Sequence, residues 1–144
     1  MVICVDTSFL FSLYGNDSKT ANAVSWSAQN NFAILISGLN HFELTNALRF
    51  AECRRLIAPG QSARFAADFE TDIRGGRLVE RPCNLAEVLS EASRLSIAHT
   101  LTGGHRGFDI LHVAAANVLG ASHFLTFDAN QKKLAEKEGL LVPI

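Results

Sequence analysis

Short apolar runs alternate with longer amphipathic segments along this chain, which is the pattern of buried strands separated by helices. Runs at residues 2–5 (VICV), 32–36 (FAILI), 77–81 (RLVER) and 123–127 (HFLTF) predict four strands, and a run at 140–142 (LLV) brings the count to four or five. The spacing of apolar residues and the turn residues between them predict helices at 7–14, 17–30, 40–57, 61–74, 84–100, 109–119 and 129–139.

Strands that alternate with helices predict a parallel sheet, because each return to the same edge needs a right-handed crossover connection. The nearly continuous apolar character of the strands indicates that helices cover both faces of that sheet. We therefore expect an α/β fold, a three-layer α/β/α sandwich around a mainly parallel sheet of four to five strands. The 144 residues contain no repeat or linker and predict a single domain over residues 1–144.

Four acidic residues lie where predicted strands end or predicted helices begin. Asp6 follows the first strand and Asp128 the fourth, Glu43 lies in the first turns of the helix after the second strand, and Asp109 opens the next-to-last helix. Each has an alternative local role. Asp6 and Asp128 are suited to cap helices. Glu43 matches the far end of a capping box that starts at Asn40, and Asp109 complements a helix dipole.

The predicted topology brings these four acids to one edge of the sheet, where ligands bind in folds of this class. Two carboxylates about 4 Å apart repel by roughly 4 kcal/mol at an effective dielectric constant of about 20, so a cluster of them calls for a cation. Ligands that are all oxygen favour Mg²⁺ or Mn²⁺ over zinc, and no Cys or His has metal-ligand spacing relative to them. The residues therefore predict a Mg²⁺ or Mn²⁺ site.

Hydroxyl residues accompany two of these acids. Thr126 precedes Asp128 by two residues on the predicted strand, so we expect its side chain on the same face, where it can orient a carboxylate or a water. Thr7 and Ser8 follow Asp6 and can bond its carboxylate or a substrate phosphate. The alternatives are an ordinary strand role for Thr126 and helix-start roles for Thr7 and Ser8.

Three other polar residues lie close to the predicted site in sequence. Arg106, three residues before Asp109, is a candidate phosphate contact, with an ordinary loop arginine as the alternative. Asn130 is a candidate outer donor, although a turn or helix-start role suits it better. His112 comes one helical turn after Asp109, and a packed or hydrogen-bonded histidine is favoured there over a general base.

Composition limits the possible partners and compartment. The formal net charge of −1 gives no global attraction to polyanions, so any contact with nucleic acid must come from a local patch. Three widely spaced cysteines without a C-x-x-C motif argue against disulfides and zinc and fit a reducing cytoplasm. The N-terminus has no basic region and carries Asp6 within its apolar run, so a signal peptide is not expected. No run is long enough to span a membrane.

With the four acids in place, the sequence resembles the PIN-domain ribonucleases, and among them the VapC-type toxins of bacterial toxin–antitoxin pairs. The resemblance covers essentially the whole chain and rests on VDTSFL (5–10), NHFELTNAL (40–48), FDILHVAAA (108–116) and FLTFD (124–128). It implies that the catalytic metal ligands are Asp6, Glu43, Asp109 and Asp128. It also implies a PIN-like fold, metal-dependent cleavage of RNA, a homodimer and inhibition by a small antitoxin protein.

Two departures from the family pattern concern charge and one polar residue. Family members often carry Asn at the second position after the first acid, where this chain has Ser8, and the slightly acidic charge leaves the range of RNA substrates open.

The alternatives to a nuclease are a non-catalytic binding module with the same fold and an acidic-pocket phosphatase. A haloacid-dehalogenase-like phosphatase needs a second acid two residues after its nucleophilic Asp, and Ser8 occupies that position. A receiver domain needs an acid at the end of a middle strand, where this chain has Ser37. Four intact acids argue against a non-catalytic module without excluding it.

The predicted helix at 40–57 carries more apolar residues than one buried face requires. Phe42, Leu44, Leu48 and Phe50 cannot all face one core at a period of 3.6 residues. The surplus predicts an interaction surface, for a second copy of the chain or for the antitoxin.

Overall fold

One four-stranded sheet forms the centre of the computed structural model, which describes residues 1–144. Strands β1 (Ile3–Val5), β2 (Ile34–Ile36), β3 (Leu78–Glu80) and β4 (His123–Leu125) are all parallel and lie in the order β3-β2-β1-β4. The run predicted as a fifth strand contributes a single bridge between Leu141 and His123, so the sheet has four strands.

Helices connect the strands and follow the predicted order. They are α1 (Thr7–Tyr14), α2 (Thr20–Gln29), α3 (Gly38–Cys53), α4 (Gln61–Arg74), α5 (Leu85–Leu95), α6 (Leu101–Gly103), α7 (Gly107–Val118) and α8 (Ala129–Lys137). The segment predicted as one helix at 84–100 is α5, capped by Asn84 and extended by a π-helical turn at Ser96–Thr100.

Alternate residues of each strand face opposite helical layers, because side chains along a strand point to opposite faces. Ile3 and Val5 enter a core with residues of α1, α2, α3 and α4, including Phe9 and Phe69. Cys4, between Ile3 and Val5, enters a second core with residues of α5, α7 and α8. The predicted three-layer α/β/α sandwich is therefore confirmed.

Small side chains let α7 lie close to the sheet and to α5. Val113, Ala114, Ala115 and Ala116 are all buried on this helix. Because these residues place no bulk between the helix and its neighbours, the first turn of α7, with Asp109, reaches the carboxyl edge of the sheet.

The start of α3 differs from the prediction and leaves Glu43 without a capping role. The helix begins at Gly38, with Ser37 as its N-cap, and the Asn40 side chain accepts a hydrogen bond of 2.9 Å from the Ser37 backbone N–H. The capping box predicted for Asn40 and Glu43 is therefore wrong, because β2 ends at Ile36 and the chain turns directly into the helix one turn earlier.

The three cysteines are free, and only Cys53 is exposed. Burial raises the pKa of the Cys4 thiol to about 12, so this side chain behaves as an apolar residue of the core. None of the helices combines the length and the apolar character that a membrane span requires.

The turn between α6 and α7 depends on the absence of a side chain at Gly103. A Cβ atom there would lie 2.3 Å from Nε2 of His105, whose ring is buried. We expect Gly103→Ala to lower the free energy of unfolding by about 1–3 kcal/mol, because the packed ring must move to make room.

Gly107→Ala, at the start of α7, is the matched control on the other side of this turn, since a Cβ atom there meets nothing within 4 Å. Its effect should stay within about 0.5 kcal/mol. Urea denaturation of both variants measures the difference, and equal losses would contradict this account of the turn.

Candidate active site at the carboxyl edge of the sheet

The four predicted acids line one cleft of about 430 Å³. Asp6 directly follows β1, and Asp128 lies three residues beyond β4, the strand next to β1. Glu43 comes from α3 and Asp109 from the first turn of α7. The fold thus brings together four carboxylates that belong to four different elements.

Asp6 is the most enclosed acid of the cleft, with 1% of its surface exposed. It caps α1 by accepting the Phe9 N–H at 3.0 Å, and it also accepts from Ser8 Oγ at 2.8 Å, Thr126 Oγ1 at 2.7 Å and Gln131 Nε2 at 2.9 Å. Burial raises the pKa of Asp6 to about 6, against the opposing effect of these hydrogen bonds. The capping role and a place in the cleft therefore coexist.

Glu43 is held by two donors from other elements. Its Oε2 accepts a hydrogen bond of 2.5 Å from Thr7 Oγ1 and a second, short one from His112 Nε2. Burial by itself would raise the pKa of Glu43, but the bonds from His112 and Thr7 outweigh it and hold the pKa below its ordinary value. Glu43 is therefore ionised and fixed in direction.

Hydrogen bonds behind His112 determine which of its nitrogens carries the proton. The Asn40 carboxamide is oriented by the Ser37 N–H, which donates to Oδ1, and by Val5 O, which accepts from Nδ2 at 2.8 Å. Asn40 Nδ2 also lies 3.2 Å from His112 Nδ1, which must then be the acceptor. The proton of the neutral ring is therefore on Nε2 and points at Glu43.

A single arginine spans the other two acids. Arg106 Nε donates to Asp109 Oδ2 at 3.1 Å, and its guanidinium lies 3.6 Å from Asp128 Oδ2. The hydrogen bond to Asp109 raises the pKa of Arg106 above its ordinary value. The side chain is 78% exposed, so this predicted phosphate contact lies at the mouth of the cleft and can move into solvent.

The predicted hydroxyl residues bond to carboxylates, but Thr7 has a different partner from the one expected. Thr126 lies just beyond β4, donates to Asp6, and accepts the backbone N–H of Asp128 at 3.0 Å. Thr7 bonds to Glu43, on another helix, and not to its sequence neighbour Asp6. Each hydroxyl therefore joins the chain segment after one strand to a neighbouring segment.

Asn130 does not line the cleft. Its side chain donates to Gly104 O at 3.4 Å and so supports the turn before α7, while its backbone N–H is capped by Asp128. It is thus the one predicted substrate contact whose side chain points elsewhere.

Gln131 is a residue of the cleft that sequence reasoning missed. It is 2% exposed, and its Nε2 donates to Asp6 Oδ2 at 2.9 Å and to Asp109 Oδ1 at 3.3 Å. The only sequence signal was its position in the first turn after the N-cap Asp128, next to Asn130.

The turn between α1 and α2 supplies two further residues that no motif indicated. Asp17, which accepts a hydrogen bond of 2.8 Å from Ser12 Oγ, and Lys19 both line the cleft. They give the cleft a fifth carboxylate and a second positive group besides Arg106.

The donor set fits a hard divalent cation better than zinc, since the acids offer only oxygen. No group of three or more Asp, Glu, His or Cys side chains is arranged to hold a metal ion as it stands. The negative charge is met instead by N–H donors of Arg106 and Gln131, whose own Oε1 is buried without a partner. These residues therefore fit the cation once the two donors move aside.

Residues 3–137 match the family model of the PIN domain, over most of the chain. The chain belongs to the PIN domain family. No curated protein matches its sequence.

Solved structures with this fold include three from bacteria. They are VapC20 of Mycobacterium tuberculosis, a toxin that cleaves the sarcin-ricin loop (19% identity, 91% of this chain and 93% of that one, TM-score 0.68), VapBC2 of Rickettsia felis bound to a DNA fragment from its promoter (16%, 99% and 97%, 0.66), and FitAcB of Neisseria gonorrhoeae (14%, 98% and 96%, 0.61). At these identities the likeness shows a shared fold.

Because His112 donates to Glu43, two substitutions of His112 should differ in their effect on stability. His112→Leu removes the donor to Glu43 and the acceptor of Asn40, so we expect the free energy of unfolding to fall by about 1–3 kcal/mol. His112→Gln keeps an N–H near the position of Nε2 and should recover part of that loss.

Thermal or urea denaturation measures both variants. A leucine variant as stable as the unsubstituted protein, or a glutamine variant no better than leucine, would show that the hydrogen bonds of His112 contribute nothing to the fold.

Proposed function

We propose that this protein is an endoribonuclease that hydrolyses RNA phosphodiester bonds with Mg²⁺ or Mn²⁺ as cofactor. The observation that carries the proposal is the cleft itself, in which Asp6, Glu43, Asp109 and Asp128 meet from four separate elements. Four acids from separate elements have no structural need to converge, whereas a cation site requires it. Membership of the PIN domain family supports the same conclusion.

Asp6 and Asp128 would be the main ligands of the cation, and Glu43 and Asp109 would complete its surroundings. When bound, the cation polarises the phosphate and lowers the pKa of a water molecule. The chain prepares the oxygen atoms for this. Ser8 and Thr126 fix the carboxylate of Asp6, and the hydrogen bonds of Thr7 and His112 fix that of Glu43.

Two positive side chains at the cleft provide the local patch that an acidic protein needs to hold RNA. Arg106 and Lys19 both line the cleft and both are exposed. Arg106 is paired with Asp109 and Asp128, and a cation that neutralises those acids leaves the guanidinium available for a phosphate. We propose that the RNA backbone passes between Arg106 and Lys19, over the acids.

The toxin of a toxin–antitoxin pair is the biological role that fits best. One protein of the same fold is a sarcin-ricin loop-cleaving toxin, and the resemblance to VapC-type toxins implies a small antitoxin partner. We propose that residues 1–144 act as one PIN domain in the cytoplasm, where three free cysteines remain reduced.

We also propose that the active form is a homodimer. On α3, Leu44 and Leu48 are fully buried, whereas Phe42 and Phe50 are 62% and 55% exposed. Two exposed phenylalanines on one helix are the surplus that the sequence pattern predicted, and a second copy of the chain would cover them.

A non-catalytic PIN-fold binding module is the second candidate. Two features favour it. As the side chains stand, no group of three or more of the acids is arranged to hold a metal ion, and Arg106 is paired with two of the acids. A phosphatase is disfavoured, because the position two residues after Asp6 is Ser8, which donates to Asp6 and has no acid to offer.

Nuclease assays separate the two candidates. We expect the protein to cleave labelled single-stranded or structured RNA in Mg²⁺ or Mn²⁺, to stop when EDTA is added, and to lose more than about 100-fold of its rate in Asp109→Asn. The magnitude follows because even the partners of metal ligands contribute about 10–100-fold. Asp6→Asn should also abolish cleavage. It is the less specific test, because Asp6 accepts several hydrogen bonds that the substitution also disturbs.

Glu136→Gln is the control for the change of charge, since Glu136 is exposed on α8 and does not line the cleft. Its rate should equal that of the unsubstituted protein. Cleavage that survives EDTA, or that Asp109→Asn leaves intact, would contradict the metal-dependent mechanism, whereas no cleavage of RNA in either metal would favour the binding module.

The dimer is tested by sedimentation at micromolar concentration. We expect a dimer for the unsubstituted protein and a monomer for Phe42→Glu, because burying an unpaired charge in an apolar contact destabilises the interface. Val24→Glu, at an exposed valine on α2, is the control and should remain dimeric. A monomer in every case would rule out the proposed dimer.

A further inference from the structure

The Gln131 carboxamide lies between two acids, and chemistry fixes its direction. Nε2 is within hydrogen-bond distance of both Asp6 Oδ2, at 2.9 Å, and Asp109 Oδ1, at 3.3 Å. Ionised carboxylates only accept hydrogen bonds, so the nitrogen and not the oxygen of the amide must face them. The N–H₂ group thus joins two negative charges that would otherwise repel.

The other end of the same carboxamide is unsatisfied. Gln131 is 2% exposed, and its Oε1 is buried with no hydrogen-bond partner. A buried acceptor without a donor costs about 1–3 kcal/mol. The orientation in which the amide nitrogen bonds to the two acids therefore leaves the amide oxygen without a hydrogen bond.

We propose that Gln131 is a cation-responsive ligand of the cleft, whose N–H₂ group bridges Asp6 and Asp109 and whose Oε1 turns toward a divalent cation that takes the place of that bridge. The proposal rests on the proposed function, since it needs the divalent cation. Amide carbonyls are accepted ligands of hard cations, whereas an N–H group repels them. A half-turn about the Cγ–Cδ bond exchanges the oxygen and the nitrogen within nearly the same volume.

Enclosure distinguishes Gln131 from Arg106, the other side chain that donates to Asp109. Arg106 is 78% exposed and can leave the cleft for solvent. Gln131 has no such exit, because its backbone N–H is held by Asp128 in the first turn of α8 and its side chain is covered. It must therefore respond to a cation in place, by turning.

The side-chain amide signals of glutamine provide a direct test by ¹H–¹⁵N NMR. The chain has only three glutamines, and the other two, Gln29 and Gln61, do not line the cleft. Titration with Mg²⁺ should shift the Gln131 N–H₂ pair, assigned by its loss in Gln131→Met, and leave the other two pairs in place.

Cation affinity separates a ligand from a purely structural residue. Gln131→Met keeps the length of the side chain but removes both donor and oxygen, so we expect calorimetric Mg²⁺ affinity to fall by about 10-fold. Gln131→Glu should lower the Tm without Mg²⁺ and bind Mg²⁺ more tightly than the unsubstituted protein, because it adds a carboxylate beside those of Asp6 and Asp109. Gln29→Met, on the exposed side of α2, is the control and should change neither quantity.

A structural role alone would lower the Tm of Gln131→Met equally with and without Mg²⁺ and leave its affinity unchanged, and that result would overturn the proposal. If the unsubstituted protein binds Mg²⁺ and cleaves RNA while the Gln131 amide signals stay in place, the inference fails and the nuclease function stands. If the unsubstituted protein binds neither Mg²⁺ nor Mn²⁺, the proposed function fails first and this inference with it.

Discussion

A buried carboxylate at the end of an interior strand is the constraint on which much of this structure depends. Asp6 follows β1, which lies between β2 and β4, and its side chain is almost completely shielded from water. A charge in that position is tolerated only when donors surround it. Those donors come from α1, from the segment after β4 and from α8, so one carboxylate fixes how these three elements meet.

The other acids show the same principle with different donors. Glu43 is directed by Thr7 and by His112, whose ring is in turn held by Asn40. Asp109 and Asp128 are paired with an arginine at the surface. Asp6 and Glu43 are therefore held by neutral hydrogen-bond donors within the fold, whereas Asp109 and Asp128 are also paired with a charged, exposed side chain that can leave. This division fits the proposed function, in which a cation and RNA enter the cleft from solvent.

The fold tolerates wide variation in sequence, because its core is specified by pattern and volume. VapC20 shares the architecture at 19% identity, and FitAcB does so at 14%. Function depends instead on side chains at one edge of the sheet. Gln131 and Lys19 are examples of residues that belong to this cleft without belonging to any of the motifs from which the family can be recognised.

The sequence by itself determined the order of strands and helices, the parallel sheet and the edge at which the acids lie. These follow from short-range information: the period of apolar residues, the turn signals and the handedness of crossovers. It misplaced the capping box of α3 by one turn, because Ser37 and Asn40 both suit an N-cap and only the end of β2 decides between them.

Tertiary structure alone decided which donor serves which acid. Thr7 is next to Asp6 in the chain but bonds to Glu43, and Gln131 reaches Asp6 across 125 residues of sequence. Such pairings depend on how far each helix is rotated about its axis when it packs, because a small rotation moves a side chain out of hydrogen-bond distance. A periodic pattern fixes which face of a helix is buried, but it does not fix that rotation closely enough to assign a hydrogen-bond partner.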